Sequence, residues 1–274
     1  PQESGAAAII ARLDRWLRLL EGQQEGLSFI NPDLVQSITF SSGGFEARYG
    51  DKLSSVLDVK YKQVDSFNAS VEASLLGASL HAEGNLTSRL TYLAGLRHKS
   101  NQYLLKGLNV QGDYQPSFTD AQALLFYRLA PRWNLEWIGN YSRNRYVFYP
   151  ESQVTSIGTI NNVKELEVFF DGQEDDAFTT MMSGVSATYS ADSNRFRMKF
   201  LASGFQTSET ETFDIIGDYY LYQVENDLGQ ENFGERLFGL GYGTYQDYGR
   251  NYLDATVANV SHIGFYFLKN HFLE

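Results

Sequence analysis

Three groups of side chains in this 274-residue chain could bind a ligand or a metal ion. The histidines follow neither the HExxH spacing nor a comparable metal-ligand spacing, so solvated side chains explain them better. Carboxylates around Gly172 offer oxygen ligands for Ca²⁺, but their spacing is not that of an EF-hand, and a merely solvated loop is the alternative. The two groups are His81, His98, His262 and His271, and Asp171, Glu174, Asp175 and Asp176.

The third group is a cluster of tyrosines in the segment 219–248. Tyrosine rings can stack on a sugar or on a flat metal chelate, and we take six of them as candidate ligand-binding residues. Packing of the segment on itself is the alternative. The six are Tyr219, Tyr220, Tyr222, Tyr242, Tyr245 and Tyr248.

No catalytic motif accompanies these groups. The sequence contains no GxSxG, P-loop or GxGxxG motif placed between a strand and a helix. Because it has no cysteine, it has neither a disulfide framework nor a thiolate metal site. The net charge of -11 argues against a nucleic-acid partner. We expect no catalytic residue, no metal and no cofactor, and we do not expect an enzyme.

Two kinds of element must position these side chains. Residues 5–22 predict an amphipathic helix, because apolar residues recur at helical spacing and Gly22 closes the pattern. This helix could lie at a membrane interface or bind a partner, while packing on its own domain or an unrelated leader is the alternative. After residue 26 the hydrophobic pattern changes from a period of 3.6 towards a period of 2, which predicts β-strands.

About seven strand candidates follow residue 63. Segment 132–142 alternates well, with Trp133, Leu135 and Trp137 on one side and Ile138 as the exception on the polar side. The other candidates are 68–83, 89–97, 119–130, 177–190, 195–204 and 251–262. Their polar sides would suit a soluble sheet or a barrel lumen, so a soluble β-sandwich stays open.

The connections between these strands alternate in length. Short turns are predicted at 85–88, 130–132 and 191–194, and long connections rich in Tyr, Asp, Glu, Asn and Gly at 99–118, 146–176 and 210–250. Compact soluble domains rarely have successive loops longer than about 15 residues. Outer-membrane β-barrels have short turns on one side and long loops on the other. The loop lengths therefore favour a barrel.

Composition is compatible with such a barrel. The sequence has no apolar run of the roughly 18 residues that a membrane-spanning helix needs. A membrane-spanning strand needs only about 10 residues with every second one apolar. Aromatic residues make up 15% of the chain, with 18 tyrosines, and tyrosine is favoured where a side chain is half apolar and half wet.

The most specific stretch is 31–62, NPDLVQSITFSSGGFEARYGDKLSSVLDVKYK. Gly43 and Gly44 permit a turn with positive φ after a strand that ends near Phe40, and Gly50 permits a second bend. Arg48 can place a planar cation against carboxylates or carbonyls. Asp58 lies in an otherwise largely apolar strand and needs a partner if it is buried.

This stretch resembles the end of the plug domain and the entry to the barrel of TonB-dependent outer-membrane receptors of the Bacteroidetes type. The resemblance implies that the segment anchors the plug against the barrel wall. It also implies plug–barrel structural or gating roles, with an ordinary surface pair as the alternative for Arg48 and Asp58. The residues concerned are Gly43, Gly44, Arg48, Tyr49, Gly50 and Asp58.

We therefore expect an all-β chain: an antiparallel transmembrane β-barrel portion with long extracellular loops, preceded by the end of a plug and an N-terminal helix. The divisions are 1–26 for the helix and linker, 27–62 for the plug end and 63–274 for the first barrel strands. Family barrels have about 22 strands, so the chain is expected to be a fragment of a receptor.

The intact receptor implied by the resemblance imports a scarce nutrient of the siderophore, cobalamin, glycan or peptide class. Its partners would be a TonB-type energy-transducing protein, outer-membrane lipid, the nutrient and, as a further candidate, a surface lipoprotein; nucleic acid is not among them. The alternative is a soluble or surface-attached β-domain that binds glycans or proteins through its Tyr-rich loops.

Overall fold

A computed structural model describes residues 30–43, 55–105, 112–159, 162–191, 196–268 and 271–273. In these ranges a 3₁₀ turn and one helical turn accompany twelve β-strands. The turns span Pro32–Leu34 and Gln102–Leu105. The strands are β1 Val35–Ser42, β2 Ser55–Tyr61, β3 Asn68–Ser74, β4 Gly77–Thr87, β5 Leu90–Ser100, β6 Gly112–Ala130, β7 Trp133–Pro150, β8 Gln153–Thr159, β9 Asn162–Ser190, β10 Phe196–Val224, β11 Arg236–Leu268 and β12 His271–Leu273.

The strands form two antiparallel sheets. β1 and β2 pair with each other, and the other ten strands form one sheet in the order β12-β11-β10-β9-β7-β6-β5-β4-β3, with β8 pairing to β9 off this path. Neighbours in the large sheet are mostly neighbours in sequence, as expected for hairpins. Within the described residues this sheet has two ends, β3 and β12. The predicted all-β antiparallel class is confirmed.

The alternation predicted for 132–142 is confirmed in β7. Trp137 aligns with Leu125 of β6 and Val185 of β9, and successive side chains of a strand point to opposite faces. We call the two sides of the large sheet the Trp137 face and the Glu136 face. Ile138, the exception in the sequence pattern, lies on the Glu136 face and packs against a buried cluster there.

The predicted short turns that fall within the described residues lie at one end of the large sheet. Residues 88–89 join β4 to β5, and residues 131–132 join β6 to β7. The third predicted turn lies mostly outside the described residues, but β9 and β10 on either side of it are paired as a hairpin. We call this the short-turn end.

The predicted long loops are mostly strand, and this part of the prediction is wrong. β9 and β10 have 29 residues each and β11 has 33, so the segments 146–176 and 210–250 are largely hairpin. The single strand predicted over 68–83 is also wrong, because Leu75 and Leu76 turn the chain between β3 and β4. The predicted helix at 5–22 lies outside the described residues. No described helix is long and apolar enough to cross a membrane.

Candidate functional site

An apolar band covers the half of the Trp137 face that lies towards the short-turn end. One row across five strands runs Leu125, Trp137, Val185, Ala202 and Val260. Val185 is 52% exposed and Val260 is 86% exposed, while Leu125, Trp137 and Ala202 are half-buried. An apolar depression of about 720 Å³ lies on the same surface. The large sheet thus presents its apolar side chains outward instead of burying them.

The depth of the band is the same on neighbouring strands. On β7 it extends from Trp133 to Tyr141, a span of nine residues, and on β9 the partners of these two are Tyr189 and Met181. The next residue of β7 on the Trp137 face is Arg143. A tilted strand crosses the hydrocarbon core of a membrane with about 9 to 11 residues. The band has the depth of such a core.

A row of aromatic rings borders the band at the short-turn end. Trp133 lies 5.2 Å from Tyr189 between ring centroids, Tyr189 lies 6.4 Å from Phe196, and Phe196 lies 6.4 Å from Tyr266. The row therefore crosses β7, β9, β10 and β11. Aromatic girdles of this kind mark the level of the lipid head groups in membrane barrels.

The opposite edge of the band is charged. Arg145 makes a two-point ion pair with Asp175, with Nε–Oδ1 at 2.9 Å and Nη2–Oδ2 at 2.7 Å. The hydrogen bond from Arg145 lowers the pKa of the Asp175 carboxyl. Because the pair lies on the Trp137 face just past Tyr141, it marks where that face changes from apolar to charged side chains.

The Glu136 face carries polar groups at the level of the band. Glu136 accepts hydrogen bonds from the Ser186 hydroxyl at 2.8 Å and from Lys199 Nζ at 3.2 Å. On β4, His81 Nε2 contacts Glu83 at 3.1 Å on the same face. A face with paired charges suits water or a protein surface but not hydrocarbon. The two faces of the sheet thus differ in the environment that they require.

Residues 30–34 are seated on the Glu136 face of β5 and β6. Leu34 is completely buried against Leu93 and Leu124. Asn31 begins the 3₁₀ turn by accepting a hydrogen bond from the Asp33 backbone N–H, and its own N–H donates to Gln122 at 3.1 Å. We call this contact the junction.

A buried ion pair lies beside the junction. Arg97 donates to both oxygens of Asp120, at 2.7 and 3.1 Å, and also to the carbonyl of Ile30 at 3.3 Å. Gln122 donates to the hydroxyl of Tyr61 at 2.9 Å. Burial raises the pKa of that hydroxyl. The junction therefore joins both sheets through buried polar groups as well as through Leu34.

These junction residues were largely missed by sequence reasoning. Asn31 was part of the quoted motif, but Asp120 and Gln122 were not singled out. Their signal is that they alternate with Ala121 and Ala123, which puts polar residues on one side of a strand whose other side is apolar.

The residues predicted to act between plug and barrel are only partly within the described ranges. Gly43 has a φ of 84°, as the predicted turn requires. Asp58 lies on β2 opposite Thr39 and is partly exposed. The structure places neither of them at the junction contacts described above. Gly44, Arg48, Tyr49 and Gly50 lie outside the described residues.

The six candidate tyrosines lie on strands, not in a loop, and the structure divides them between the two faces. Tyr220 is directly opposite Tyr242, whereas Tyr219 is opposite Gly243 and Tyr245 is opposite Gly217. Both of these glycines lie under the ring of the tyrosine opposite. The Trp137 face carries Tyr220, Tyr222, Tyr242 and Tyr248, and the Glu136 face carries Tyr219 and Tyr245.

Arg236 of β11 contacts side chains of β9 and β10 on the Trp137 face, at the end of the sheet away from the short turns. It pairs with Glu165 and, at 2.8 Å, with Glu167, and its guanidinium lies 4.4 Å from the ring centroid of Tyr222. Tyr220 also packs against a neighbouring ring, since Phe169 lies edge-on to it with 5.9 Å between the ring centroids. The tyrosines at this level therefore take part in packing within the sheet.

The carboxylate run lies in β9 and is not a loop. Alternation directs Asp171 and Asp175 to the Trp137 face, and Glu174 and Asp176 to the Glu136 face. Among the described residues, no group of three His, Asp or Glu side chains is placed to hold a metal ion. The Ca²⁺ interpretation of the whole run therefore gains no support, because its members do not converge.

Comparisons with known proteins add little to this description. No protein-family model and no curated protein matches the sequence. A solved structure, that of a variant of the ferric enterobactin receptor PfeA from Pseudomonas aeruginosa, is 14% identical, with a TM-score of 0.32. The match covers 86% of this chain and 44% of that one, so the chain spans less than half of the receptor's length. At this identity and TM-score the likeness does not assign the chain to a family.

Proposed function

We propose that this chain is part of a transmembrane β-barrel in an outer membrane, in which the Trp137 face contacts lipid and the Glu136 face lines the interior. The observation that carries the proposal is the apolar band, nine residues deep on β7 and bordered by aromatic rings on one side and by an ion pair on the other. Exposed apolar surface of this extent is costly in water but stabilising in hydrocarbon.

The junction supports the proposal that this barrel contains a plug. Residues 30–34 lie on the face that would be interior, and both the buried Leu34 and the polar contacts of Asn31 hold them there. We assign 27–62 to the end of a plug domain, 63–274 to barrel strands and 1–26 to the preceding helix and linker. Roles for Gly44, Arg48, Tyr49, Gly50 and Asp58 between plug and barrel belong to this proposal.

The resemblance of 31–62 to TonB-dependent receptors extends the proposal to function. The intact protein would bind a scarce nutrient at its outer side and import it when an energy-transducing partner of the TonB type pulls on the plug. The exposed tyrosines of the Trp137 face, Tyr220 and Tyr242 among them, would lie beyond the outer edge of the lipid. They are candidates for contact with ligands or partners at the cell surface.

Tryptophan fluorescence tests the membrane placement directly. The chain has three tryptophans, and a Trp16→Phe variant retains only Trp133 and Trp137. Further replacement of either one by Phe leaves a single reporter. The chain is folded into phospholipid vesicles whose acyl chains carry bromine at a known depth, since bromine quenches tryptophan only at close range.

We expect Trp137 to be quenched most by bromine near the bilayer centre and Trp133 by bromine near the head groups. The two residues are four apart, or about 13 Å along a strand. Absence of quenching at both positions, together with a monodisperse monomer in detergent-free buffer, would contradict the proposal and favour the soluble β-domain.

A further inference from the structure

The apolar depression on the Trp137 face has the size and lining of a site for a small molecule. Its volume of about 720 Å³ falls within the roughly 300 to 1,000 Å³ that is usual for ligand sites. Two of its lining residues, Ala187 and Ala202, have small side chains, while Trp137 and Phe200 carry large rings on the strands to either side of β9. The surface is therefore low between two aromatic rings.

The position of the Trp137 ring helps to keep this space open. A Cβ on Gly139 would lie 2.6 Å from the ring, so the indole leans over Gly139 and away from Leu135. The indole N–H donates to the hydroxyl of Ser183, which is opposite Gly139, at 3.0 Å. Trp137 thus satisfies its own polar group and leaves the row of Leu135 and Ala187 uncovered.

His262 is a polar side chain at the rim of the depression. It lies directly opposite Phe200, and the two rings stack with 6.0 Å between their centroids. The imidazole is exposed, and its nitrogens make no hydrogen bond within the described part of the chain. A neutral imidazole has one N–H donor, which requires an acceptor if the surroundings are apolar.

The level of His262 on the sheet indicates which acceptor it would meet. Gly264, two residues along β11, aligns through Met198 with Tyr189 of the aromatic row. His262 therefore lies one step inside that row, towards the centre of the apolar band. If the row marks the lipid head groups, the next groups inward are the ester linkages that join the head group to the acyl chains.

We propose that the depression binds a phospholipid, whose acyl chain lies over Ala187 and Ala202 and whose ester carbonyl accepts a hydrogen bond from His262. This inference rests on the proposed function, because His262 meets lipid only if the Trp137 face does. It names the group that is recognised, an acyl ester in the half of the membrane nearer the short turns.

A phospholipid fits this surface better than a second copy of the chain does. Two copies packed through the apolar band would press apolar side chains against His262 and leave its N–H without an acceptor, which is costly. An ester lipid provides a carbonyl at the level of the imidazole. Its flexible chain can also fill an irregular depression that a second flat sheet would leave partly empty.

The test compares two phospholipids that differ only in their linkage. Both have the same head group and the same chains, but one has ester linkages and the other has ether linkages, which lack the carbonyl. Phe200→Trp places a reporter beside the depression in a chain whose own tryptophans, Trp16, Trp133 and Trp137, are replaced by Phe. The chain is folded into mixed vesicles in which either lipid carries bromine on its chains.

Quenching of the introduced tryptophan, measured over a range of mixing ratios, gives the binding constant of the ester lipid relative to the ether lipid. We expect a ratio of about three to ten, since one hydrogen bond between neutral groups is worth about that factor. Exchanging the bromine label between the two lipids should give the same ratio.

His262→Phe should reduce this ratio to about one, because it keeps an aromatic ring but removes the donor. His262→Gln supplies an amide donor instead and should keep the preference. Tyr266→Phe is the matched control, since it removes a polar atom from the same face of the same strand, four residues nearer the short turns, and should leave the ratio unchanged.

A second pair of variants tests the depression independently of the imidazole. Ala202→Leu fills the space in which the chain would lie and should lower the ratio while His262 is still present. Ala258→Leu adds the same volume on the same face, at an exposed position that does not line the depression, and should have no effect.

A ratio of about one before any change at His262, or a preference that survives His262→Phe, would overturn the inference. Quenching of Trp137 in the chain that retains it separates the site from the barrel. If Trp137 is quenched but the tryptophan introduced at 200 is quenched by neither lipid, a protein surface such as a second copy covers the depression, and the lipid site is wrong. If Trp137 itself is not quenched, the barrel is wrong.

Discussion

Arg97 and Asp120 are direct partners in the register of β5 and β6, and they also form an ion pair that is almost completely buried. The side chains are 5% and 0% exposed, and the guanidinium donates to both carboxylate oxygens. The same guanidinium reaches the carbonyl of Ile30. The pair therefore supports the sheet and, at the same time, the segment that is seated on it.

Removal of one partner of this pair should be strongly destabilising. Asp120→Asn leaves the charge of Arg97 buried without its counter-ion, and we expect a loss of about 3 to 5 kcal/mol in the free energy of unfolding, measured by urea titration in vesicles. The control is Asp175→Asn, which breaks the more exposed pair with Arg145 and should cost less than about 1 kcal/mol.

If the Asp120→Asn variant does not fold, a double variant keeps the prediction testable. Arg97→Met combined with Asp120→Leu removes both charges and fills the space with apolar atoms. Its stability should be close to that of the unchanged chain or higher. A double variant as unstable as Asp120→Asn would show that the charge itself is not the cause.

The sequence predicted the part of the fold that lies within the apolar band. There, one face is apolar and the other is polar, so the period of two is visible in 132–142. The exception, Ile138, is apolar because it packs against the buried cluster of the junction. Beyond the band both faces of β9, β10 and β11 carry a mixture of polar and apolar side chains. The period disappears although the strands continue, and these segments look like loops.

The candidate sites were harder to predict for the same reason. Tyr219 and Tyr220 are adjacent in sequence, and only knowledge that they lie on a strand shows that they point to opposite faces. Arg97 and Asp120 are 23 residues apart, and their contact depends on the register of two strands. That register cannot be derived from composition or from local spacing.

The two faces of the band should respond differently to the same substitution. Val185→Arg places a charge on the Trp137 face within the band, and Ser186→Arg places it one residue further on, on the Glu136 face near Glu136. In a membrane barrel an arginine at the lipid-facing midplane costs about 2 to 4 kcal/mol. We expect that loss for Val185→Arg in the free energy of folding into vesicles.

Ser186→Arg should cost much less, because its side chain would meet Glu136 and a polar surface. Equal losses for the two variants would show that the Trp137 face is not in contact with lipid. A larger loss for Ser186→Arg would place the lipid on the opposite side of the sheet.

Two adjacent carboxyls should give opposite dependences of stability on pH. The pKa of Asp176 is raised from its ordinary value of 3.8 to about 6, so the folded chain holds a proton that the unfolded chain has lost. Stability therefore falls as the pH rises through that window, by about 1 to 3 kcal/mol. Asp176→Asn should remove this fall in urea titrations performed at about pH 4 and about pH 7.

Asp175 shows the reverse sign. Arg145 lowers the pKa of its carboxyl, so the stability that this pair contributes is present above the ordinary value of 3.8 and is lost as the pH falls below it. Asp175→Asn should therefore flatten the acid side of the stability curve. The assignment of the two pKa shifts is wrong if Asp176→Asn and Asp175→Asn change the curve in the same pH range.

Two glycines of β11 offer a matched test of the packing that divides the tyrosines. A Cβ on Gly243 would lie 2.5 Å from the hydroxyl oxygen of Tyr219, whereas a Cβ on Gly241 would have no atom within 4 Å. Gly243→Ala should displace the ring and cost about 1 to 3 kcal/mol, as overpacking does. Gly241→Ala should change the free energy of unfolding by less than about 0.5 kcal/mol.

The packing of Tyr219 on Gly243 bears on which tyrosine could contact a ligand. Tyr242 is 84% exposed and could do so without disturbing the sheet, whereas Tyr219 could not. Equal stability of the two alanine variants would remove this distinction and return Tyr219 to the set of candidate ligand contacts.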